Sequence, residues 1–227
     1  MIPWLNPTNI QFPPVEHALK APNGLLAAGG DLSPNTLLKA YKNGIFPWYS
    51  PPDPILWWSP DPRTVLYAEN LHISRSMQKV LNKAAYQVSF NRAFEEVIDA
   101  CAEPRDYTND TWITAAVKQG YFALHQAGYA HSIEVWHDDD LVGGLYGVAI
   151  GCAFMGESMF SRQTNASKYA LIHLSRQLHS AGFHFMDCQV PSPHLHSLGA
   201  TDIPRRQFQQ ALAKAIACKP TFLPWDR

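Results

Sequence analysis

The sequence predicts an α+β fold whose main sheet is mixed and mostly antiparallel. Over residues 131–160, three segments of alternating apolar and polar residues are separated by turn residues, which predicts an antiparallel meander. A helical segment at 165–182 follows, and an apolar strand at 183–190 comes directly after it. Because strand, helix and strand in succession favour a crossover connection, we expect the last strand to pair in parallel.

The composition changes sharply near Pro62. Twelve of the 18 prolines and four of the seven tryptophans lie within the first 62 residues. We therefore predict a small Pro- and Trp-rich N-terminal domain at 1–62 and a larger domain at 63–227 that holds the main sheet.

One helix is predicted in the N-terminal part. Ser33 is a suitable N-cap, Pro34 suits the first helical position, and Gly44 is a suitable end. Residues 44–63 contain six prolines and three tryptophans, which predicts a stiff, extended loop. Either this loop is a lid packed on the larger domain, or Trp48 and its neighbours offer rings on which a nucleobase stacks, a contact worth roughly 1–3 kcal/mol per base.

The larger domain is predicted to contain two helices before the meander and one at its end. The first spans 91–102, and the second has Thr114 as its N-cap and ends near Gly128. The last helix is predicted at 206–218. Their apolar faces can cover the sheet, as a layered α+β fold requires.

Composition and charge predict a globular protein that does not bind long stretches of nucleic acid. Of its 227 residues, 46% are hydrophobic and 16% charged, and the net charge is −1. A protein that neutralises many phosphates is usually strongly basic. Arg75, Lys79 and Lys83 nevertheless stand four residues apart, so a helix would gather them on one face. This basic row is either a solvated face or a local contact for an RNA backbone.

Several classes of protein find no support in the sequence. No apolar run reaches the roughly 20 residues that a membrane span needs, and the start lacks an export signal, so we expect a cytoplasmic protein. No phosphate loop, dinucleotide fingerprint or GxSxG motif occurs, and no cofactor is expected.

No metal is expected either. His194 and His196 follow Asp187 closely and His179 and His184 lie nearby, but nothing fixes a third ligand, and the neighbouring prolines indicate a surface loop. The four cysteines are widely spaced without a Cys-x-x-Cys pair, which predicts packed thiols rather than a zinc ribbon or a disulfide framework. They are Cys101, Cys152, Cys188 and Cys218.

An Asp-x-Gln pair occurs in the apolar strand predicted at 183–190. Asp187 and Gln189 are two residues apart, so they share one face of the strand. An Asp beside a neutral amide can hold an ammonium group, take a proton from it and orient the amine toward a carbonyl. The alternative is a structural Asp187 that accepts hydrogen bonds from the backbone amides of 192–195.

A second acid, Glu157, directly follows a glycine in another apolar strand, which indicates close approach to the backbone. It either binds a substrate amine or forms an ion pair with Arg162 or Lys168. Phe154 and Met159 flank it and are either core residues or walls of a pocket.

The order of motifs along nearly the whole chain resembles the bacterial leucyl/phenylalanyl-tRNA–protein transferase family. Each motif alone is weak, but this many in order is specific. The motifs are PNGLLAAGGDLSP at 22–34, GIFPWYSPPDPILWWSPDPR at 44–63, LHISRSM at 71–77, TWIT at 111–114, HSIEVW at 131–136, LVGGLYGVA at 141–149, GESMFSR at 156–162, NASK at 165–168, DCQV at 187–190, SLGA at 197–200 and IPRR at 203–206.

The resemblance implies an aminoacyltransferase that needs no cofactor. It would move Leu or Phe, and also Met, from aminoacyl-tRNA to the N-terminal Arg or Lys of a protein and so mark that protein for degradation in the N-degron pathway. The implied architecture is a small N-terminal domain followed by a domain of the GNAT acyltransferase fold. A monomer that does not bind membranes is expected.

The resemblance also implies the groups that bind the donor. The tryptophans of GIFPW and TWIT would hold the terminal adenosine of the tRNA, which assigns Trp48 and Trp112 to that role. Phe154, Met159 and Leu145 would form the pocket for the amino-acid side chain. The basic row becomes a candidate for the tRNA backbone.

The catalytic residues implied by the resemblance are Glu157, Asp187 and Gln189. In one scheme Asp187 takes the proton of the attacking amine, Gln189 orients or relays it, and Glu157 positions the cationic acceptor. In the other, a hydroxyl of the tRNA shuttles the proton and Asp187 is an electrostatic anchor.

Two other classes of protein share part of this pattern. A tRNA-dependent aminoacyltransferase for cell-wall precursors would share the fold, but such proteins are usually longer. A binder of basic N-termini without chemistry would keep Glu157 but would have no use for Trp48, Trp112 or Gln189.

Overall fold

The computed structural model describes residues 2–104 and 111–225. It contains a four-stranded sheet from the N-terminal part of the chain and a seven-stranded sheet from the remainder. The predicted α+β class with a mixed, mostly antiparallel main sheet is confirmed. The domain boundary near Pro62 stays a prediction.

The helices begin close to the residues that the sequence suggests. Ser33 Oγ accepts a hydrogen bond from the Thr36 amide at 3.4 Å, and Thr114 Oγ1 accepts one from the Val117 amide at 3.3 Å. Asn165 precedes its helix with a φ of 69° and makes no side-chain cap, so its contribution there is conformational. The helices are α1 (Pro34–Lys42), α2 (Arg75–Asn82), α3 (Phe94–Ala102), α4 (Ala115–Gln126), α5 (Ala166–Ser180), α6 (Pro193–Ser197) and α7 (Arg205–Ala217).

The first sheet has the order β1-β2-β4-β3, with β1 parallel to β2 and the other pairs antiparallel. The prediction that 44–63 is a loop is wrong in part, because β3 and β4 lie within it. Their hydrogen-bond partners are distant in sequence, and a local proline-rich pattern does not reveal them. The strands are β1 (Trp4–Leu5), β2 (Leu25–Gly29), β3 (Phe46–Pro47) and β4 (Leu56–Trp58).

The main sheet has the order β11-β5-β10-β9-β8-β7-β6. The predicted meander is confirmed as β7, β8 and β9, and β10 pairs in parallel with β9 after α5, as expected. The other neighbouring pairs are antiparallel. The strands are β5 (Arg63–Leu66), β6 (Gln87–Phe90), β7 (Ala130–His137), β8 (Asp140–Ile150), β9 (Ala153–Ser161), β10 (Phe185–Gln189) and β11 (Thr201–Ile203).

Two hydrophobic clusters pack against the main sheet, and neighbouring residues of β8 alternate between them. Tyr146 belongs to the cluster that includes α1, α3, α4, α7 and the first sheet, whereas Leu145 belongs to the one beneath α5. The first cluster therefore joins the two sheets in one core. Among the described residues, no helix is both long and apolar enough to cross a membrane.

Candidate active site

A cavity of about 520 Å³ opens where β8, β9 and β10 meet the segment that follows β3. We call it the central cavity. Its walls combine aromatic, aliphatic and a few polar side chains, as is usual for sites that bind small groups. The lining residues are Phe46, Pro47, Trp48, Trp112, Leu145, Tyr146, Gly156, Glu157, Ser158, Met159, Leu171, Met186, Cys188, Gln189, Val190, Ser192, His194 and Leu195.

Glu157 stands at the polar end of the central cavity and is held by three side chains. The Tyr41 hydroxyl donates to Glu157 Oε1 at 2.7 Å, and the Tyr121 hydroxyl donates to Oε2 at 2.6 Å. The side-chain amide of Gln189 donates through Nε2 to Glu157 Oε1 at 3.2 Å. Because Tyr41 belongs to α1, the N-terminal part of the chain helps to build this site, together with Tyr121 from α4.

Burial raises the pKa of Glu157 from 4.5 to about 7. The hydrogen bonds from Tyr121 and Tyr41 lower this pKa, the nearby charge of Asp187 raises it, and Arg63 lowers it again. Burial also raises the pKa of both tyrosines well above 10, so they remain neutral donors near neutral pH. Glu157 can therefore exchange a proton near neutral pH, which suits a general base.

Asp187 lies behind the cavity wall and is paired with a buried arginine. Arg63 Nε donates to Asp187 Oδ1 at 2.8 Å and Arg63 Nη2 to Oδ2 at 2.6 Å, and both side chains are 1% exposed. The guanidinium also lies over the rings of Phe46 and Phe208 and donates to the Gly44 carbonyl at 3.0 Å. Asp187 is therefore satisfied by charge and geometry before any substrate binds.

Asp187 and Gln189 are connected through the backbone. The Gln189 amide N–H donates to Asp187 Oδ1 at 3.0 Å, and Gln189 has a φ of 59°. The pairing of β10 with β5 shifts register at this point, which is typical of a bulge. Asp187 thus fixes the unusual backbone that directs the Gln189 side chain to Glu157.

The apolar wall of the cavity contains two of the three predicted pocket residues. Leu145 and Met159 oppose each other on β8 and β9 and line the cavity with Leu171 of α5. The structure does not bring Phe154 there, because this residue is fully buried in the cluster beneath α5. It lies on the same side of the sheet as Leu145 and Met159 but nearer the β8–β9 turn, opposite Ala149, where the core covers it.

Trp48 and Trp112 form the aromatic part of the rim. Trp48 is 46% exposed and follows β3, while Trp112 precedes α4 and is half-buried. Trp58 packs against Trp48 with ring centroids 5.8 Å apart, and its indole N–H donates to the Trp48 carbonyl at 2.6 Å. The exposed face of Trp48 is therefore held in place beside the cavity.

The predicted basic row is on a helix but outside the central cavity. Arg75 and Lys79 belong to α2, Lys83 is its C-cap, and all three side chains are exposed. Their separation along the helix agrees with a single outer face.

The partners suggested by the two structural alternatives differ from those observed. Arg162 pairs with Glu103 at 2.5 Å rather than with Glu157. Asp187 accepts hydrogen bonds from the Arg63 guanidinium and from the backbone N–H of Gln189, not from the backbone amides of 192–195.

The two histidines of the His-x-His pair both belong to α6 but have different surroundings. His194 lines the cavity, where burial lowers its pKa, and His196 lies 3.0 Å from a carboxylate oxygen of Asp202. They do not converge with Asp187 on one point.

Three residues of the site were missed from the sequence. Tyr41 and Tyr121 were assigned only to the apolar faces of their helices, although a tyrosine hydroxyl needs a partner when it is buried. Arg63 begins a four-residue strand that is otherwise uncharged and buried, the same signal that drew attention to Glu157. A charged residue in such a strand predicts a buried side chain that pairs with it, but the sequence does not show which residue that is.

The central cavity, with a carboxyl group among aromatic and aliphatic walls, suits an enzyme that transfers a group to an amine. A carboxyl group with a pKa near 7 can receive an ammonium group, and aromatic and aliphatic walls can accommodate planar and apolar groups beside it. Comparison with known proteins identifies the group that is transferred. The chain belongs to the leucyl/phenylalanyl-tRNA protein transferase family and is an aminoacyltransferase.

The family membership rests on matches along the whole chain. The family model described as leucyl/phenylalanyl-tRNA protein transferase matches residues 65–213, and that of its N-terminal domain matches 30–61. The leucyl/phenylalanyl-tRNA–protein transferase of Pseudomonas syringae pv. syringae is 55% identical over 226 residues, covering 100% of this chain and 98% of the relative. That of Cellvibrio japonicus is 56% identical over 212 residues, covering 93% and 90%.

Similar solved structures are much more distant. A GCN5-related N-acetyltransferase from Kribbella flavida aligns with a TM-score of 0.40 and 9% identity, over 71% of this chain and 58% of its own. L-PGS from Bacillus licheniformis aligns with a TM-score of 0.42 and 9% identity, over 74% and 54%.

Proposed function

We propose that this protein transfers leucine or phenylalanine, and also methionine, from aminoacyl-tRNA to the N-terminal Arg or Lys of acceptor proteins. The observation that carries the proposal is the Glu157 carboxyl group, which lines the cavity with a pKa near 7 beside an amide donor. The shared family supports the tRNA donor and the protein acceptor.

The donor is held at two points of the central cavity. The terminal adenosine of the tRNA stacks on Trp48 and Trp112, a contact worth roughly 1–3 kcal/mol per base. The amino-acid side chain enters between Leu145 and Met159, where the wall is apolar. Such a wall separates Leu from Val or Ile by only roughly 1–3 kcal/mol, so the preference is strong but incomplete.

The acceptor amine is held at the polar end of the cavity. Ionised Glu157 pairs with the α-ammonium group and, having a pKa near 7, takes its first proton. The Gln189 amide, 3.2 Å from Glu157, orients the neutral amine toward the ester carbonyl. The N–C bond then forms and the ester C–O bond breaks. The second amine proton passes through the neighbouring hydroxyl of the tRNA to the departing ribose oxygen.

Asp187 acts as an electrostatic anchor in this proposal. Both of its oxygens are engaged by Arg63, and it is not part of the cavity wall. This geometry supports the second of the two schemes considered from the sequence. Asp187 contributes by fixing the backbone of Gln189 and by its charge near Glu157.

The remaining parts of the proposal concern the cellular context. The exposed basic row on α2 contacts the backbone of the tRNA acceptor stem, and the reaction yields an N-degron. The protein acts as a monomer in the cytoplasm.

Within the site, Phe154 supports the amino-acid pocket from the core behind it.

A transfer assay tests the proposal. Labelled leucyl-tRNA is mixed with a peptide that starts with Arg, and label in the peptide is measured. We expect transfer to this peptide but not to one with an acetylated N-terminus, and less with valyl-tRNA. Glu157→Gln should lower the rate about 100-fold or more, while Glu69→Gln, which changes an exposed Glu in the same way, should not.

Two outcomes would contradict the proposal. Binding of the peptide without transfer would favour a binder of basic N-termini, and transfer to a lysine side chain of a cell-wall peptide would favour the other aminoacyltransferase class. Near-normal transfer by Asp187→Ala would contradict the anchoring role of Asp187.

A further inference from the structure

Three potential metal ligands that are far apart in the sequence meet at the surface end of the β8–β9 hairpin. Cys152 lies in the turn between β8 and β9, His184 directly precedes β10, and Cys218 is the C-cap of α7. The thiol sulfurs and an imidazole nitrogen all lie within 4.8 Å of one another. None of these residues lines the central cavity.

The backbone of Cys152 holds the segments that carry the other two ligands. The Cys152 N–H donates to the Ala215 carbonyl at 2.8 Å, one turn before Cys218. The Cys152 carbonyl accepts from the His184 N–H at 2.8 Å. The Cys218 N–H donates to the same Ala215 carbonyl at 3.1 Å. The three ligands are therefore positioned by regular hydrogen bonds and do not depend on a metal for their proximity.

Gly151 allows the hairpin to approach α7 this closely. It has a φ of 58°, and a Cβ at this position would lie 2.5 Å from the Ala215 carbonyl oxygen and 2.7 Å from Ile216 Cα. A larger residue would push the Cys152 turn away from the end of α7. The close contact that brings Cys152 to Cys218 thus depends on a residue with no side chain.

The burial of the three side chains differs in a way that suits a partly open metal site. Cys152 is buried, Cys218 is half-buried and His184 is exposed. A Cys₂His set is a ligand combination that zinc accepts, with Zn–S near 2.3 Å and Zn–N near 2.0–2.1 Å. These bond lengths place tetrahedral ligand atoms roughly 3.5–3.8 Å apart, and the exposed imidazole can rotate to close the remaining distance.

We propose that Cys152, His184 and Cys218 form a zinc site in which water supplies the fourth ligand. Each thiol releases its proton to solvent as its sulfur–zinc bond forms, because the thiolate is the ligand. The soft sulfur ligands favour Zn²⁺ over Mg²⁺ or Ca²⁺. This differs from the sequence-based expectation of packed thiols without a metal.

Because none of the three ligands lines the central cavity, we assign the site to the stability of the fold. Leu145 of the cavity wall is five residues from Ile150 along β8, and Met186 is two residues from His184 along β10, or about 7 Å at roughly 3.3 Å per residue. A metal there links the β8–β9 turn, the start of β10 and the end of α7. Binding to the folded state alone raises stability by mass action.

Metal titration of the full-length, reduced protein tests the proposal. Apo protein is titrated with Co²⁺, whose absorption reports thiolate ligation and tetrahedral geometry, and then with Zn²⁺ to displace it. We expect one equivalent of each metal and a Tm that rises with Zn²⁺ concentration. Cys218→Ser should weaken binding by more than about 100-fold, since loss of even an outer partner costs 10–100-fold.

Matched variants separate this site from other thiols and imidazoles. Cys101→Ser and His179→Asn should bind Co²⁺ and respond to Zn²⁺ as the wild type does, whereas His184→Asn should not. Unchanged binding in both Cys218→Ser and His184→Asn would overturn the proposal. So would no stoichiometric binding to the reduced wild type, or a Cys152–Cys218 disulfide in protein whose thiols are blocked at lysis.

Discussion

Replacing Glu157 by Gln is expected to remove a pH dependence from the stability of the protein. Burial raises the pKa of this carboxyl group from 4.5 to about 7 in the folded state. Between these two pH values, the folded protein holds a proton that the unfolded chain has released. Stability therefore falls as pH rises through this range, since the unfolded state binds fewer protons.

The magnitude follows from the size of the pKa change. One pKa unit corresponds to 1.36 kcal/mol, so a change from 4.5 to about 7 corresponds to at most about 3 kcal/mol. Glu157 lines an open cavity and is only half-buried, and solvent reduces this value. We expect the wild type to lose about 1–3 kcal/mol relative to Glu157→Gln between pH 5 and pH 8.

Urea unfolding at pH 5, 6, 7 and 8 measures this difference. The change with pH is compared rather than the absolute stability, so that any constant effect of the new amide cancels. Glu69→Gln should keep the wild-type pH dependence because Glu69 is exposed. Parallel curves for the wild type and Glu157→Gln would refute the raised pKa of Glu157. If the stability of Glu157→Gln fell more steeply with pH than that of the wild type, the pKa of Glu157 would be lowered in the folded state, not raised.

Three further predictions concern the anchor, the aromatic rim and the basic row. Arg63→Met leaves Asp187 buried and unpaired, so urea unfolding should show a loss of about 3–5 kcal/mol, part of which returns when Asp187 is also replaced by Leu. Trp48→Ala should weaken binding of leucyl-tRNA by about 5- to 150-fold, the equivalent of roughly 1–3 kcal/mol, whereas Trp4→Ala should not, and filter binding measures both. Lys79→Ala should reduce the slope of log affinity against log salt by about 0.7–0.9, and an unchanged slope would argue against a phosphate contact.

The sequence was most informative where the determinants of structure are local. The α1 helix follows from Ser33 and Pro34, and the meander follows from alternation within continuous segments. The first sheet was not predicted in this way. β2, β3 and β4 are short and satisfy their backbone groups through partners up to tens of residues away, so local propensity carries little information about them.

In the candidate site, too, the sequence identified individual residues but not the contacts between them. Glu157 and Gln189 were identified as polar residues in apolar strands, and motif order provided the family and the chemistry. Their contact with each other, and that of Glu157 with Tyr41 and Tyr121, required the packing of α1 and α4 against the main sheet. Phe154 shares a side of the main sheet with Leu145 and Met159, but it lies nearer the β8–β9 turn, where core side chains cover it completely. Sequence position does not show how far along a strand a cavity extends.

The fold class, four of the seven strands of the main sheet, the family and several polar residues of the cavity follow from the order of the residues. Long-range packing alone brings Arg63 to both oxygens of Asp187 and brings Cys152, His184 and Cys218 together. This division arises because hydrophobic periodicity and capping act over a few residues. A buried charge or thiol is instead paired by side chains that long-range packing brings within a few ångströms.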